Sequence, residues 1–115
     1  MATIFHIAPK DKWLKSRSRG QYPEQSLQSE GFIHCSTAEQ VVATANRHYK
    51  GQDGLVLLGI DTSVIASVIA YEKSGDNGED YPHIFGPINH DAVKEVIDFP
   101  ASGNGTFLLP TALKS

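Results

Sequence analysis

Hydrophobic and polar positions recur with two different periods along this chain, and the switches between them mark its elements. "TIFHIA" (residues 3–8) is short and rich in β-branched and aromatic residues, and predicts a first strand. "KDKWLKSRSR" (10–19) predicts a short helix stopped by Gly20. "GQYPEQSLQSE" (20–30) reads as irregular, because Pro23 limits any helix there. "GFIHCS" (31–36) predicts a second strand, whose alternation sends Ile33 and Cys35 to one face and Phe32, His34 and Ser36 to the other.

The period then becomes helical. Ser36 and Glu39 have the spacing of a capping box. Ala38, Val41, Val42, Ala45 and Tyr49 follow as one apolar stripe. Gly51 supplies the stop, with Arg47, His48 and Lys50 near the negative end of the helix dipole. "GLVLLGID" (54–61) and "VIASVIAYE" (64–72) predict strands separated by a turn at Asp61-Thr62-Ser63, and "KSGDNGEDYP" (73–82) a polar loop. "HIFGPI", "AVKEVIDFP" and "GTFLLP" are the remaining strand candidates. Two short helices are too few to cross over between parallel strands. The pattern therefore predicts a compact α+β domain spanning 1–115, with mixed or antiparallel sheets.

At 115 residues the chain fits one core, and 40% hydrophobic with 20% charged residues is a globular composition. No apolar run reaches membrane-span length, and "MATIFHIAPK" lacks the basic start and long apolar core of a signal peptide. One cysteine makes no internal disulfide, so a reducing cytoplasm is the expected home. The net charge of −3 gives no reason for the whole surface to bind nucleic acid, but it is unevenly spread. Lys10, Lys12, Lys15, Arg17 and Arg19 against Asp11 give the first helix +4, which leaves −7 elsewhere. Two readings fit this stripe: a surface that meets phosphates or RNA, or a solvated helix face with Trp13 turned into the core.

The residues that could carry chemistry are histidines. His34 stands opposite Ile33 and Cys35 and immediately precedes a helix N-terminus, where free N–H groups and the dipole favour an anion; Ser36 and Thr37 add hydroxyls there. "YPHIFGPI" puts His83 and Phe85 on one strand face, with Tyr81 upstream and Pro82 and Pro87 stiffening both ends. His6 on the first strand is a third candidate. Each also has a structural reading: Ser36 as a helix cap, the histidines as satisfied strand residues, the prolines as marks of an edge strand. His34 and Cys35 point to opposite faces, and no spacing matches a zinc site, so no metal is expected. Cys35 reads as a small buried hydrophobe. Glu72, Glu79 and Asp80, in or beside the polar loop, form no paired-carboxylate site.

With "IFHIAPKDKW", "GFIHCSTAEQVVATANRHY", "LVLLGID" and "YPHIFGPI" in that order, the chain resembles the family called domain of unknown function 952 over nearly its whole length. That resemblance implies a fold similar to the ADP-ribosylation fold of ADP-ribosylating toxins, poly(ADP-ribose) polymerases and tRNA 2′-phosphotransferases. It further implies that His6 occupies the place of the first-strand residue that contacts the ribose of NAD, and that Ser36, Thr37 and Tyr49 match the following strand-and-helix motif. His83 stands where the transferases normally carry a catalytic glutamate, a departure from the pattern. The resemblance thus implies a nucleotide-sized cleft floored by His34, Ser36 and His83, for ADP-ribosyl or phosphate transfer on a nucleotide or phosphate-bearing ligand. The alternative is a non-catalytic module that binds a nucleotide or an RNA end. No cofactor follows from the residues themselves.

Overall fold

The computed structural model describes residues 3–73 and 78–113. Three strands form an antiparallel sheet in the order β1 (Thr3–Pro9), β4 (Leu55–Asp61), β8 (Val93–Asp98). A second antiparallel sheet has the order β3 (Ile33–His34), β6 (Asp80–Phe85), β5 (Val68–Lys73), and β2 (Gln21–Tyr22) pairs with β7 (Ile88–Asn89). The helices are α1 (Lys10–Ser16), the single turn α2 (Ser26–Ser29) and α3 (Val41–His48). This is the expected compact α+β domain, and every strand pairing among the described residues is antiparallel. Among the described residues there are three short α-helices where two were expected.

β1 and β4 of the first sheet are buried on both faces, while β8 at its edge is largely exposed. Ile4 and Ala8 of β1 join Ile33, Cys35, Ile84 and Ile88 in a core shared with the second sheet. Phe5 and Ile7 point the other way, into a core closed by Val41 and Ala45 of α3 and by Phe99 and Phe107. This explains why β4 reads as an unbroken apolar run: a central strand covered on both sides has no solvent face to alternate with. The sheets are linked where Phe5 and Ser36 exchange backbone hydrogen bonds, both 2.8 Å.

α1 ends as expected. Gly20 takes a positive φ of 75° after a 3-10 turn at Arg17–Arg19. Trp13 is buried and stacks on His90 at 4.3 Å, while Lys10, Lys12, Lys15, Arg17 and Arg19 are all exposed. The Ser16 hydroxyl donates to the Trp13 carbonyl (2.7 Å), so it accepts its second bond from His90 Nε2 (2.9 Å).

Four expectations are corrected. The capping box does not form at Ser36 and Glu39. Ser36 is held in the bridge to Phe5, with its hydroxyl donating to Thr44 Oγ1 at 3.3 Å, so the turn into the helix starts one residue later. There the Thr37 N–H donates to Gln40 Oε1 (3.1 Å), the backward half of a box at Thr37 and Gln40. Residues 64–67, expected in a strand, form a loop. The Asn89 side chain accepts from the Ala66 N–H (2.8 Å) and donates to the Val64 carbonyl (3.1 Å), in place of a neighbouring strand. "HIFGPI" is two strands: the chain bends between β6 and β7 at Gly86, where a Cβ would collide with the Ser67 side chain. "GTFLLP" is no strand either: Asn46 of α3 bonds both the N–H and the carbonyl of Phe107 (2.7 and 3.2 Å), and Phe107 stacks on Phe99 at 4.8 Å. In the polar loop expected at 73–82, residues 74–77 lie outside the described residues. Among the described residues, no helix is long and apolar enough to cross a membrane.

Candidate functional site

β3 and β6 run antiparallel with Ile33 opposite Ile84 and His34 opposite His83. The Cys35 N–H bonds the Pro82 carbonyl at 3.0 Å, so the neighbouring pair His34–His83 is of the non-hydrogen-bonded kind, the type that brings side chains closest. Since Ile33 and Ile84 point into the core, His34 and His83 share the opposite face of this sheet. Their rings meet edge to face at 5.5 Å. Phe32 completes the cluster: it stacks on His83 at 4.1 Å and lies 4.9 Å from His34 and 5.5 Å from Phe85.

The two histidines differ in environment. His34 is exposed, and its Nε2 lies 3.0 Å from Glu30 Oε2. His83 is only 3% exposed, and its Nδ1 lies 2.8 Å from Oε1 of Glu72, across the β5–β6 pair. A carboxylate only accepts, so Nδ1 carries the proton. Nε2 of His83 is buried and has no partner among the described residues. A carboxylate that orients an imidazole by one nitrogen, with a lone pair left on the other, is the arrangement of a general base.

His6 repeats this arrangement on β1. Its Nδ1 donates to the His34 carbonyl at 2.7 Å, and its Nε2 is likewise buried without a partner. Burial, partly opposed by the bond to His34, holds this imidazole below its ordinary pKa, so the ring is neutral at pH 7. Glu24 lies near His6. Its carboxyl stays below the usual range although burial opposes this, because Ser26 hydrogen-bonds to it.

Of the residues singled out from sequence, His34, His83 and Phe85 come together on one sheet face, and His6 joins them through the His34 backbone. Ser36 and Thr37 lie two and three residues beyond His34, with the Ser36 hydroxyl turned to Thr44 and the Thr37 N–H taken by Gln40. Tyr49 packs against the core under α3, and burial pushes its phenol up. Sequence reasoning missed Glu72 and Phe32. The strand alternation already put Phe32 on the face of His34; Glu72 looked like loop-edge charge until the β5–β6 register brought it to His83. Among the described residues, no group of three histidine, cysteine, aspartate or glutamate side chains is placed to hold a metal ion.

The chain is similar to protein CC0527 from Caulobacter crescentus. Crystal structures of that protein and of a double mutant each superpose with a TM-score of 0.86 at 27% identity, covering 96% of this chain and 97% of the other. Its solution NMR structure gives 0.78 at 27% identity, covering 92% and 91%. No curated protein matches the sequence. Residues 7–96, from β1 into β8, match the model of a family described as protein of unknown function (DUF952), and over that span lie the His34–His83 pair, Phe32 and Glu72. The chain therefore belongs to the DUF952 family.

Proposed function

We propose that this protein binds a nucleotide or other phosphate-bearing ligand over the His34–His83 face and moves a proton of that ligand through the Glu72–His83 dyad. The carrying observation is the unpartnered Nε2 of His83 at one end of a carboxylate–imidazole pair. A buried acceptor without a donor is costly, and a ligand hydroxyl satisfies it once the Phe32 ring stacked on His83 moves aside. The exposed ring edges of Phe85 and His34 beside Phe32 offer a surface on which a base can stack.

The resemblance to the ADP-ribosylation fold supports NAD, ADP-ribose and related nucleotides as first ligands to try, with transfer of an ADP-ribosyl or phosphate group as the reaction class. His83 in place of the transferases' glutamate shifts the emphasis to proton transfer, since a neutral imidazole stabilises a developing cation less well than a carboxylate does. A buried lone thiol at Cys35 suits a reducing compartment such as the cytoplasm. A second reading, binding without turnover, is favoured by the Phe32 ring stacked over His83.

The test is a thermal-shift screen of NAD, ADP-ribose, nucleoside mono- and diphosphates and sugar phosphates, followed by assay of ligand turnover. A ligand at 100 times its Kd stabilises the fold by about 2.7 kcal/mol, a shift easily read. Binding lost in His83→Ala and turnover lost in Glu72→Gln support the proposal. Binding retained in both variants places the ligand elsewhere, and a screen with no shift ends the reading.

A further inference from the structure

Beside α1 lies a groove of about 600 Å³ that none of the chemistry above uses. One wall is the helical stripe Lys12, Lys15 and Arg19, spaced so that the three side chains share a face. The other wall is the segment carrying Glu24, Gln25 and Gln28. None of the three cations takes part in an ion pair among the described residues, whereas Lys10 on another side of the helix pairs with Asp98 at 3.5 Å. Three cations against one carboxylate make the groove locally positive on a chain of net charge −3. That single carboxylate already accepts the Ser26 N–H at 2.9 Å.

We propose that this groove binds the backbone of a single-stranded RNA. Cations at intervals along one wall match successive phosphates, which contribute most of the sequence-independent affinity for nucleic acids. Gln25 and Gln28 supply the neutral donors and acceptors that sugars and phosphates use, and the remaining acceptor capacity of Glu24 suits a ribose 2′-hydroxyl. The aromatic residues nearby, Trp13 and Tyr22, are buried and cannot stack on bases, so recognition is of the backbone and independent of sequence. A membrane surface is disfavoured because α1 shows solvent a single large apolar side chain, Leu14.

The groove adjoins the His34–His83 face without depending on it. Gln28 lines the groove while Glu30 contacts His34, and Pro87 lines the groove while Phe85 belongs to the ring cluster. Two residues of chain separate the features on each side, a reach of about 7 Å.

The test uses a fluorescein-labelled uridine octamer and fluorescence anisotropy. Three phosphate contacts on a single strand predict a salt slope near −2, a loss of roughly twentyfold between 50 and 200 mM salt. Each of Lys12→Gln, Lys15→Gln and Arg19→Gln should reduce that slope by about 0.7, and the triple variant should bind at least tenfold more weakly at 50 mM salt with an unchanged thermal midpoint. Octamer binding is measured with no mononucleotide present, so failure of the nucleotide screen and failure of this inference are read separately. Binding by the triple variant equal to wild type, a salt-insensitive Kd, or displacement by polyglutamate as readily as by unlabelled octamer would each overturn it. The deoxyuridine octamer should bind more weakly than RNA, and tighter binding of the deoxy strand refutes the role given to Glu24.

Discussion

The His6 imidazole donates from Nδ1 to the backbone carbonyl of His34 at 2.7 Å, in the place where β1 and the β3 segment diverge after their Phe5–Ser36 bridge. Because His34 and His83 form a non-hydrogen-bonded pair, the His34 carbonyl points away from β6 and toward β1. No ladder N–H reaches it there, and a side chain does. The same ring that ties the two sheets together thus sets the backbone of the residue facing His83.

Removing that tie should be expensive. His6→Ala leaves a buried carbonyl without a donor and a cavity in the shared core, for an expected loss of about 2–4 kcal/mol in urea unfolding. The pH dependence follows from the lowered pKa of His6, set by burial. Below about 6.5 the unfolded chain takes up a proton that the folded protein refuses, so stability is complete above that pH and declines as pH falls toward the folded value. His90, lowered by burial and then by Arg17, adds to the slope. Midpoints in urea at pH 7.5, 6.5 and 5.5 should therefore fall in that order, with a shallower fall in His6→Gln. An unchanged slope in the variant refutes the assignment.

The tautomers of His6 and His83 are open to direct measurement. Both rings should carry the proton on Nδ1, since one faces a carbonyl and the other a carboxylate. Long-range nitrogen–proton NMR spectra at pH 7.5 distinguish this from the Nε2–H form. Glu72→Gln should disturb the His83 signals and leave those of His6 in place. Stability should fall by no more than about 1 kcal/mol, because Glu72 is half exposed and water replaces part of what is lost. An Nε2–H signal from His83 in the unmodified protein would remove the basis for a general base.

The start of α3 separates two neighbouring acceptors. Gln40 receives the Thr37 N–H and donates to the Asp80 carbonyl at 2.8 Å, so Gln40→Ala should cost about 0.5–1 kcal/mol. Glu39 is exposed, and Glu39→Ala should change stability by less than about 0.5 kcal/mol. Denaturant midpoints of the two variants settle which residue caps the helix, and the reverse order would restore the box at Ser36.

Cys35 should be chemically silent. Burial, with a smaller contribution from Glu24, pushes its thiol far above the ordinary range, so little thiolate exists at any pH the fold survives. An aromatic disulfide reagent at pH 8 should label it only after denaturant is added. Rapid labelling of the native protein would contradict its place in the core.

Elements set by neighbours in sequence were legible from the chain alone: β1, α1 with its stop at Gly20, the apolar stripe of α3, the strand β4, and β8. Their signals are local, a period of two or 3.6 residues and a turn residue, and no distant contact overrides them. Alternation gave the faces of His34 and His83 on their separate strands, but that the two residues stand opposite each other was decided by the β3–β6 register. What tertiary structure alone decided was which partner each backbone group found. The Asn89 and Asn46 side chains bond the backbone at 64–66 and at Phe107 and keep both segments out of the sheets. The bridge to Phe5 pulls Ser36 out of the cap. The β5–β6 register turns Glu72 from loop-edge charge into the partner of His83. Each of these outcomes depends on a group between 11 and 61 residues away, a separation at which a propensity carries no information and only the folded geometry selects the bond.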